Sequence, residues 1–203
     1  MTNILFVIIA SFLLSPKVYL PINSRNRHDI SEIHLTEIGQ FGLMRKTRPN
    51  VPKHYHTGID IERPSSNYVS EPIYPIASGV VISKRTDGPY ANLIIEHTIN
   101  GRKVWSLYEH IAGITVDVTD NVNPNTPIAR FMSRDELNKH GWQFNHFHLE
   151  ILRVKPQRIK PIPPNPERFY NSYSLICYTL DDLDKYYYDP LAFLTGNFYI
   201  ACL

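Results

Sequence analysis

The clearest structural pattern in this chain lies in His146-Phe147-His148-Leu149-Glu150-Ile151. Successive side chains of a β-strand point to opposite faces, so the three polar residues share one face and the three apolar residues share the other. The apolar face predicts burial against a core. On the polar face the two imidazoles lie about 6.5–7 Å apart on a stiff backbone. Such a pair can bind one metal ion together, or one histidine can bind the ion while the other transfers protons.

A second motif, His56-Thr57-Gly58-Ile59-Asp60, places an imidazole and a carboxylate on one face of an extended segment. The glycine between them leaves room for a metal ion or a substrate to approach the backbone. Catalytic zinc sites typically use three protein ligands and keep the fourth position open for water. A third ligand from the H-x-H strand would complete such a set. His54 is a rival to His56, although a surface position is the default expectation for it.

A third candidate, His110, ends the strand-like run Lys103–His110. Strand alternation places it on the face that also carries Val104, Ser106 and Tyr108. A histidine at a strand end that opens on a cleft can act as a general acid or base, or hold an anionic intermediate. A structural role is the alternative for a single histidine.

The composition favours a globular protein. With 203 residues, of which 43% are hydrophobic and 20% charged, the chain can form one well-buried domain with extensions or two small domains. The formal net charge is only +2, and no long basic run with interleaved aromatic residues occurs. We therefore expect no dedicated nucleic-acid binding.

The N-terminus predicts export. The apolar run Ile4–Leu14 is shorter than the roughly 20 residues that span a bilayer, and its length suits the hydrophobic region of a signal peptide. Residues 1–18 are therefore interpreted as a signal peptide or an N-terminal membrane anchor, and the protein as periplasmic or extracellular. A buried strand or helix is the alternative. In an exported protein, Cys177 and Cys202 could form a disulfide, whereas in the cytosol they would be free buried thiols.

The remaining pattern predicts a mainly antiparallel β fold with few short helices. Residues 19–50 form a lead-in with a short helix around Ile30–Ile38. From residue 51 to 154, turn residues separate six candidate strands: Ile73–Ile76, Val80–Ser83, Leu93–His97, Lys103–His110, Pro127–Phe131 and His146–Val154. Ser133 and Glu136 predict a capping box for a short helix over Ser133–His140. Residues 155–203 comprise a proline-rich linker and a tyrosine-rich extension, whose segment Leu191–Leu194 is expected to dock on the sheet.

Taken together, the three histidine motifs resemble the lysostaphin/LytM-type zinc metallopeptidases, most of which are peptidoglycan endopeptidases. The family pattern is H-x-G-x-D, then a strand ending in Y-x-H, then H-x-H-x-E and an apolar residue. This chain has HTGID, YEH and HFHLEI in that order. Residues 71–81 and 92–97 resemble two further family stretches, and Asp189-Pro190-Leu191 resembles the aspartate-proline that often closes the domain. The resemblance covers about residues 51–154 and this C-terminal patch.

The resemblance implies a zinc peptidase domain over residues 51–154, an antiparallel β-sandwich or barrel-like fold of the duplicated hybrid motif type. It implies that zinc is held by His56, Asp60 and His148. It also implies that His110 and His146 are catalytic, as acid/base and intermediate-stabilising groups. Glu150 either hydrogen-bonds a histidine or is a solvated carboxylate.

The implied function is hydrolysis of peptide bonds in peptidoglycan cross-links or stem peptides. The alternatives are a catalytically inactive cell-wall-binding or amidase-activating module, and a zinc peptidase with another glycine-containing protein substrate. One departure from the family concerns the wall of the cleft. The family usually has a glycine-rich turn before H-x-H, whereas Arg134–Asn145 contains only Gly141. Such a change in the wall would alter which peptide fits.

Overall fold

A computed structural model of the protein describes residues 18–196, and this part of the chain is mainly antiparallel β-sheet. Its strands are β1 (Met44–Arg45), β2 (His54–Tyr55), β3 (Ile59–Glu62), β4 (Pro72–Ile73), β5 (Gly79–Arg85), β6 (Asn92–Ile99), β7 (Arg102–Glu109), β8 (Ile111–Ala112), β9 (Asn121–Val122), β10 (Ala129–Phe131), β11 (His146–Leu152), β12 (Gln157–Arg158), β13 (Tyr170–Asn171) and β14 (Tyr187–Tyr188). Its α-helices are α1 (Arg134–His140), α2 (Leu180–Tyr186) and α3 (Pro190–Leu194). Short 3-10 turns cover Ile30–Glu32, Gly88–Tyr90, Trp142–Phe144 and Ser174–Ile176.

Two sheets share the main core. The larger has the strand order β14-β11-β7-β6-β5-β9, with β3 also paired to β11, and the smaller has the order β4-β10-β8. One buried apolar cluster contains Ile73 and Phe131 from the smaller sheet together with Tyr108 and Phe147 from the larger. The mainly antiparallel β fold predicted from the sequence is therefore confirmed.

Strand β11 has the two faces that its sequence predicts. Its apolar side chains, Phe147, Leu149 and Ile151, are fully buried in the main core. Along one edge, β11 pairs with β7. Along the other edge it pairs first with β3, over His146–Leu149, and then with β14, at Ile151 and Leu152. The strand that carries H-x-H is thus held on both sides.

Local signals were right for one helix and wrong for another. Helix α1 begins after Ser133, and the predicted capping box with Glu136 is present. The helix expected over Ile30–Ile38 is wrong, because only Ile30–Glu32 forms a 3-10 turn. Beyond it the chain is extended, and Leu35 bridges Ile61 of β3. Pairing with the sheet outweighs the weak helical pattern of this segment.

The C-terminal segment covers part of the large sheet. A second buried cluster joins Ile94, Trp105, Leu107 and Leu152 of the sheet to Cys177, Leu183 and Tyr187. Cys177 is fully buried, whereas Cys202 and the apolar run Ile4–Leu14 lie outside the described residues. Between residues 18 and 196, no helix has the length and apolar character needed to cross a membrane.

Candidate metal centre

Three predicted ligands, His56, Asp60 and His148, come together in one buried cluster. Nε2 of His56 lies 3.1 Å from Oδ1 of Asp60 and 3.0 Å from Nδ1 of His148. Nδ1 of His148 lies 2.9 Å from the same Asp60 oxygen. Residues separated by 92 positions in the sequence thus present three ligand atoms to one point.

Strand register produces this convergence. Asp60 and His148 are direct partners in the antiparallel pair of β3 and β11, so their side chains leave the sheet on the same face. Gly58 lets His56 approach them. The sequence suggested that this glycine leaves room for a ligand, and this expectation is wrong. A Cβ atom at Gly58 would lie 2.2 Å from the backbone oxygen of Leu149 and 2.8 Å from Cε1 of His148. The space beside this glycine is filled by β11 itself.

The hydrogen bonds behind the two histidines fit a bound cation. Nδ1 of His56 lies 2.8 Å from the carbonyl oxygen of Gln40, which only accepts, so this nitrogen donates. Nε2 of His148 lies 3.2 Å from Oε1 of Glu150 and donates to this carboxylate. In the neutral rings, the inward-facing nitrogens then carry lone pairs, and Oδ1 of Asp60 adds another. Three buried acceptors that face one another are stabilised by a proton or by a metal ion, and the residues present therefore fit a metal.

The charges of the cluster agree with this conclusion. Burial disfavours the Asp60 carboxylate, yet hydrogen bonds with His148 and His56 hold the pKa of Asp60 well below its usual range. Burial alone would lower the pKa of His148, but the neighbouring carboxylates of Asp60 and Glu150 raise it to about 10. Burial lowers the pKa of His56 despite its hydrogen bond with Asp60. The two buried carboxylates, Asp60 and Glu150, therefore favour a positive charge at the cluster.

The two predicted catalytic histidines lie beside this cluster. Nε2 of His146 is 3.7 Å from Oδ1 of Asp60. The ring centroids of His110 and His146 are 5.2 Å apart, with the rings edge to face. The His110 ring centroid is 6.5 Å from that of His148. All five predicted site residues are thus neighbours.

His110 reaches the cluster in a way that alternation did not predict. Strand β7 ends at Glu109, and His110 has a φ of 64°, in the left-handed region that few non-glycine residues adopt. This turn takes His110 off the face of Tyr108, which lies in the core, and directs its ring to His146. The expected shared face of His110 and Tyr108 is therefore wrong. Strain of this kind is typical of functional sites.

Burial keeps both histidines neutral. It lowers the pKa of His110 to about 3, although the backbone oxygen of Pro89 acts in the opposite direction. It also lowers the pKa of His146 to about 4, against the attraction of Asp60. Nδ1 of His110 donates to the Pro89 oxygen at 2.6 Å, so Nε2 is the proton acceptor of this ring.

Two open questions about polar residues are answered by the structure. Glu150 is buried and accepts hydrogen bonds from His148 and from the Thr57 hydroxyl, the latter at 2.6 Å, so it is not a solvated carboxylate. His54 is also buried, and its Nδ1 donates to the Pro52 oxygen at 2.8 Å. The expected surface position of His54 is therefore wrong; it lies in β2, which pairs with β1. The ligand cluster found among residues 18–196 does not include it.

Sequence reasoning missed several residues around the site. Phe144 and Tyr90 lie against His110, at centroid distances of 4.9 Å and 5.8 Å. Arg45 contacts Asp60, and Gln40 contacts His56. The departure from the family pattern over Arg134–Asn145 was the one signal for Phe144. Nothing in the periodicity of the lead-in indicated Arg45 or Gln40.

A buried cluster of two histidines and one carboxylate is a donor set that metal-dependent hydrolases use. The sequence model of peptidase family M23 matches residues 54–161, which is more than half of the chain. The chain therefore belongs to peptidase family M23, a family of metallopeptidases. A comparison with curated proteins gives no match.

Solved structures include similar folds at low identity. Lysostaphin, in its NMR solution structure, has a TM-score of 0.51 and 16% identity, with 93% of this chain and 58% of lysostaphin covered. A zinc-containing peptidase from Vibrio cholerae has a TM-score of 0.44 and 22% identity, with 67% of this chain and 37% of that chain covered. LytU has a TM-score of 0.44 and 20% identity, covering 68% of this chain and 92% of LytU. The similarity to lysostaphin supports the fold, and this chain spans less than two thirds of that protein's length.

Proposed function

We propose that this protein is a zinc-dependent endopeptidase that hydrolyses peptide bonds in peptidoglycan cross-links or stem peptides. The observation that carries the proposal is the convergence of His56 Nε2, Asp60 Oδ1 and His148 Nδ1, all within 3.1 Å of one another. Two imidazoles and one carboxylate are a donor set that catalytic zinc sites use. Membership of family M23 supplies the reaction class.

In this proposal, His56, Asp60 and His148 hold the ion. Zinc would supply Lewis acidity. This would polarise a peptide carbonyl and lower the pKa of a nearby water, so that a hydroxide nucleophile is available near neutral pH. Glu150 keeps His148 in one orientation, since it accepts from Nε2 and so directs Nδ1 into the cluster. Gln40 does the same for His56 through Nδ1.

His110 and His146 carry out the proton transfers in this proposal. Both rings lie beside the ligand cluster, so each is placed to accept a proton from the attacking water. His110 accepts at Nε2, because Nδ1 is held by the Pro89 oxygen. The base that takes this proton can return it to the amine that leaves, which needs a proton to become a good leaving group. The aromatic rings of Phe144 and Tyr90 pack beside the His110 ring.

The substrate and location belong to the same proposal. We infer export to the periplasm or the cell exterior from the apolar run Ile4–Leu14, with a membrane tether as the variant in which this segment stays uncleaved. An exported M23 peptidase would meet the peptide part of peptidoglycan as its substrate.

Mass spectrometry of purified sacculi tests the proposal. Wild-type protein should release peptide fragments, a chelator should stop the release, and added zinc should restore it. A His148→Ala variant should release none, whereas His28→Ala, which removes an exposed histidine outside the cluster, should act like wild type. Zinc bound at one ion per chain without any fragment release would contradict wall hydrolysis and favour a wall-binding or amidase-activating module, or a peptidase with another protein substrate. Release that continues in His148→Ala would contradict the proposal.

A further inference from the structure

A segment that lies outside the region matched by the family supports the candidate metal centre. Residues 34–45 precede the match and run beside the ligand-bearing segment 56–62. Five backbone hydrogen bonds join the two segments: Glu62 N to His34 O, Thr36 N to Asp60 O, Asp60 N to Gly39 O, Gly42 N to His56 O and His56 N to Leu43 O, all between 2.8 and 3.1 Å. Gly39 fits closely, since a Cβ atom there would lie 2.8 Å from the Asp60 oxygen. The two segments therefore pack as one unit.

One side chain of this segment contacts a ligand directly. Nη2 of Arg45 donates to Oδ2 of Asp60 at 2.6 Å. Nη1 of the same guanidinium donates to the backbone oxygen of Ile38 at 2.8 Å. The planar group is thus anchored at two points, one on the ligand and one on its own segment.

These contacts give the two oxygens of the Asp60 carboxylate different partners. Oδ2 is bound to Arg45, and Oδ1 is left facing His56 and His148. Rotation about the terminal torsion of an aspartate meets little resistance, so an unheld carboxylate would not keep this orientation. The Arg45 and Asp60 side chains are 18% and 7% exposed, and a charge-assisted hydrogen bond is strong in such surroundings.

We propose that Arg45 is a positioning residue of the metal centre, which holds Asp60 so that one oxygen alone is presented to the ion. This inference rests on the proposed function. A pure charge effect would work in the opposite direction, because a guanidinium beside the site repels a cation. Lysine cannot replace arginine fully, since one ammonium group lacks the planar pair of nitrogens that donate to the Ile38 oxygen and to Asp60.

Zinc affinity of the full-length protein tests this role without any substrate. Metal-free wild type, Arg45→Ala and Arg45→Lys are titrated with zinc against a chromophoric chelator. Removing a residue that orients a ligand typically costs about 10- to 100-fold in metal affinity, and we expect such a loss in Arg45→Ala and a smaller one in Arg45→Lys. The matched control is Arg48→Ala, which removes an equal charge from an exposed position three residues away and should bind zinc like wild type.

A spectroscopic measurement separates positioning from general stability. With cobalt(II) as the probe, the visible absorption bands should shift in Arg45→Ala and stay unchanged in Arg48→Ala, because the bands report the ligands of the ion. Arg45→Lys provides the comparison if Arg45→Ala does not fold. Equal or tighter zinc binding in the Arg45 variants, with an unshifted cobalt spectrum, would overturn the inference while leaving the proposed function intact. A wild type that binds no zinc would overturn both.

Discussion

Asp60 and His148 face each other across the antiparallel pair of β3 and β11, with Oδ1 of Asp60 2.9 Å from Nδ1 of His148. The backbone register of the sheet therefore sets the geometry of the candidate metal centre. A slip of one residue would send His148 to the core face and bring an apolar neighbour into its place. The large apolar side chains Phe147 and Leu149, which are fully buried, prevent such a slip.

Glu150→Gln should weaken metal binding. The carboxylate of Glu150 accepts hydrogen bonds from Nε2 of His148 and from the Thr57 hydroxyl, and its charge makes His148 a stronger ligand. We expect zinc affinity to fall by about 10- to 100-fold, measured by competition with a chelator. Glu37→Gln removes an exposed carboxylate and serves as the control. Equal affinity in Glu150→Gln and wild type would show that Glu150 does not support His148.

Gly58→Ala should damage both stability and the site. The added Cβ atom would lie 2.2 Å from the Leu149 oxygen, so β3 and β11 would have to separate locally. Overpacking of this kind costs about 1–3 kcal/mol in the free energy of unfolding, which urea denaturation measures. Gly101→Ala is the comparison, because this glycine has a positive φ but open space around it. It should lower stability without changing zinc affinity, whereas Gly58→Ala should lower both; unchanged zinc affinity in Gly58→Ala would contradict the prediction.

His110→Asn should separate catalysis from metal binding. Asparagine tolerates the left-handed conformation at φ 64°, so the backbone is expected to stay in place. Loss of the proton acceptor should slow fragment release from sacculi by roughly 10²- to 10⁴-fold. Zinc affinity should stay close to that of wild type, because His110 is not a member of the ligand cluster found in the described part of the chain. Undiminished fragment release would remove His110 from the mechanism.

His97 should make stability depend on pH. This fully buried ring donates from Nδ1 to the Ser78 oxygen and accepts from the Ser106 hydroxyl at Nε2. Burial lowers its pKa to about 4, although backbone contacts with Ser78 and Ala77 oppose the shift. The unfolded chain takes up this proton near pH 6.5, so between pH 6.5 and 4 the unfolded state binds more protons and becomes favoured.

The contribution of His97 is therefore complete above pH 6.5 and is lost as the pH falls towards 4. At about 1.4 kcal/mol per pKa unit, the loss amounts to about 3 kcal/mol. Urea unfolding at pH 7 and pH 4.5 measures most of this loss. His97→Gln should be less stable than wild type at pH 7 but should lose less stability on acidification, and His28→Gln should follow wild type. Identical pH dependence in wild type and His97→Gln would contradict this account.

Much of the fold could be predicted because its signals are local. Alternation in β11 identified the buried face, and the capping box at Ser133 located helix α1. The convergence of His56, Asp60 and His148 followed from three motifs that the family resemblance linked.

The remaining features depend on contacts between distant residues. The left-handed turn at His110 is imposed by its surroundings, since strand periodicity alone would have placed the ring in the core. Arg45 lies 15 positions before Asp60, in a segment without strand or helix periodicity, so its contact with Oδ2 is a product of tertiary packing. The extended path of Leu35 beside Ile61 has the same origin.

The pairing of β14 with β11 also bears on the order in which the large sheet is completed as the chain is synthesised. Tyr187 and Tyr188 complete the edge of the strand that carries His148, and Leu183 and Cys177 cover the sheet beside it. A nascent chain that has reached residue 161, the end of the family match, holds every ligand but lacks this edge and this cover. The strand that carries His148 therefore gains this edge partner, at Ile151 and Leu152, only after residues 187–188 have been synthesised.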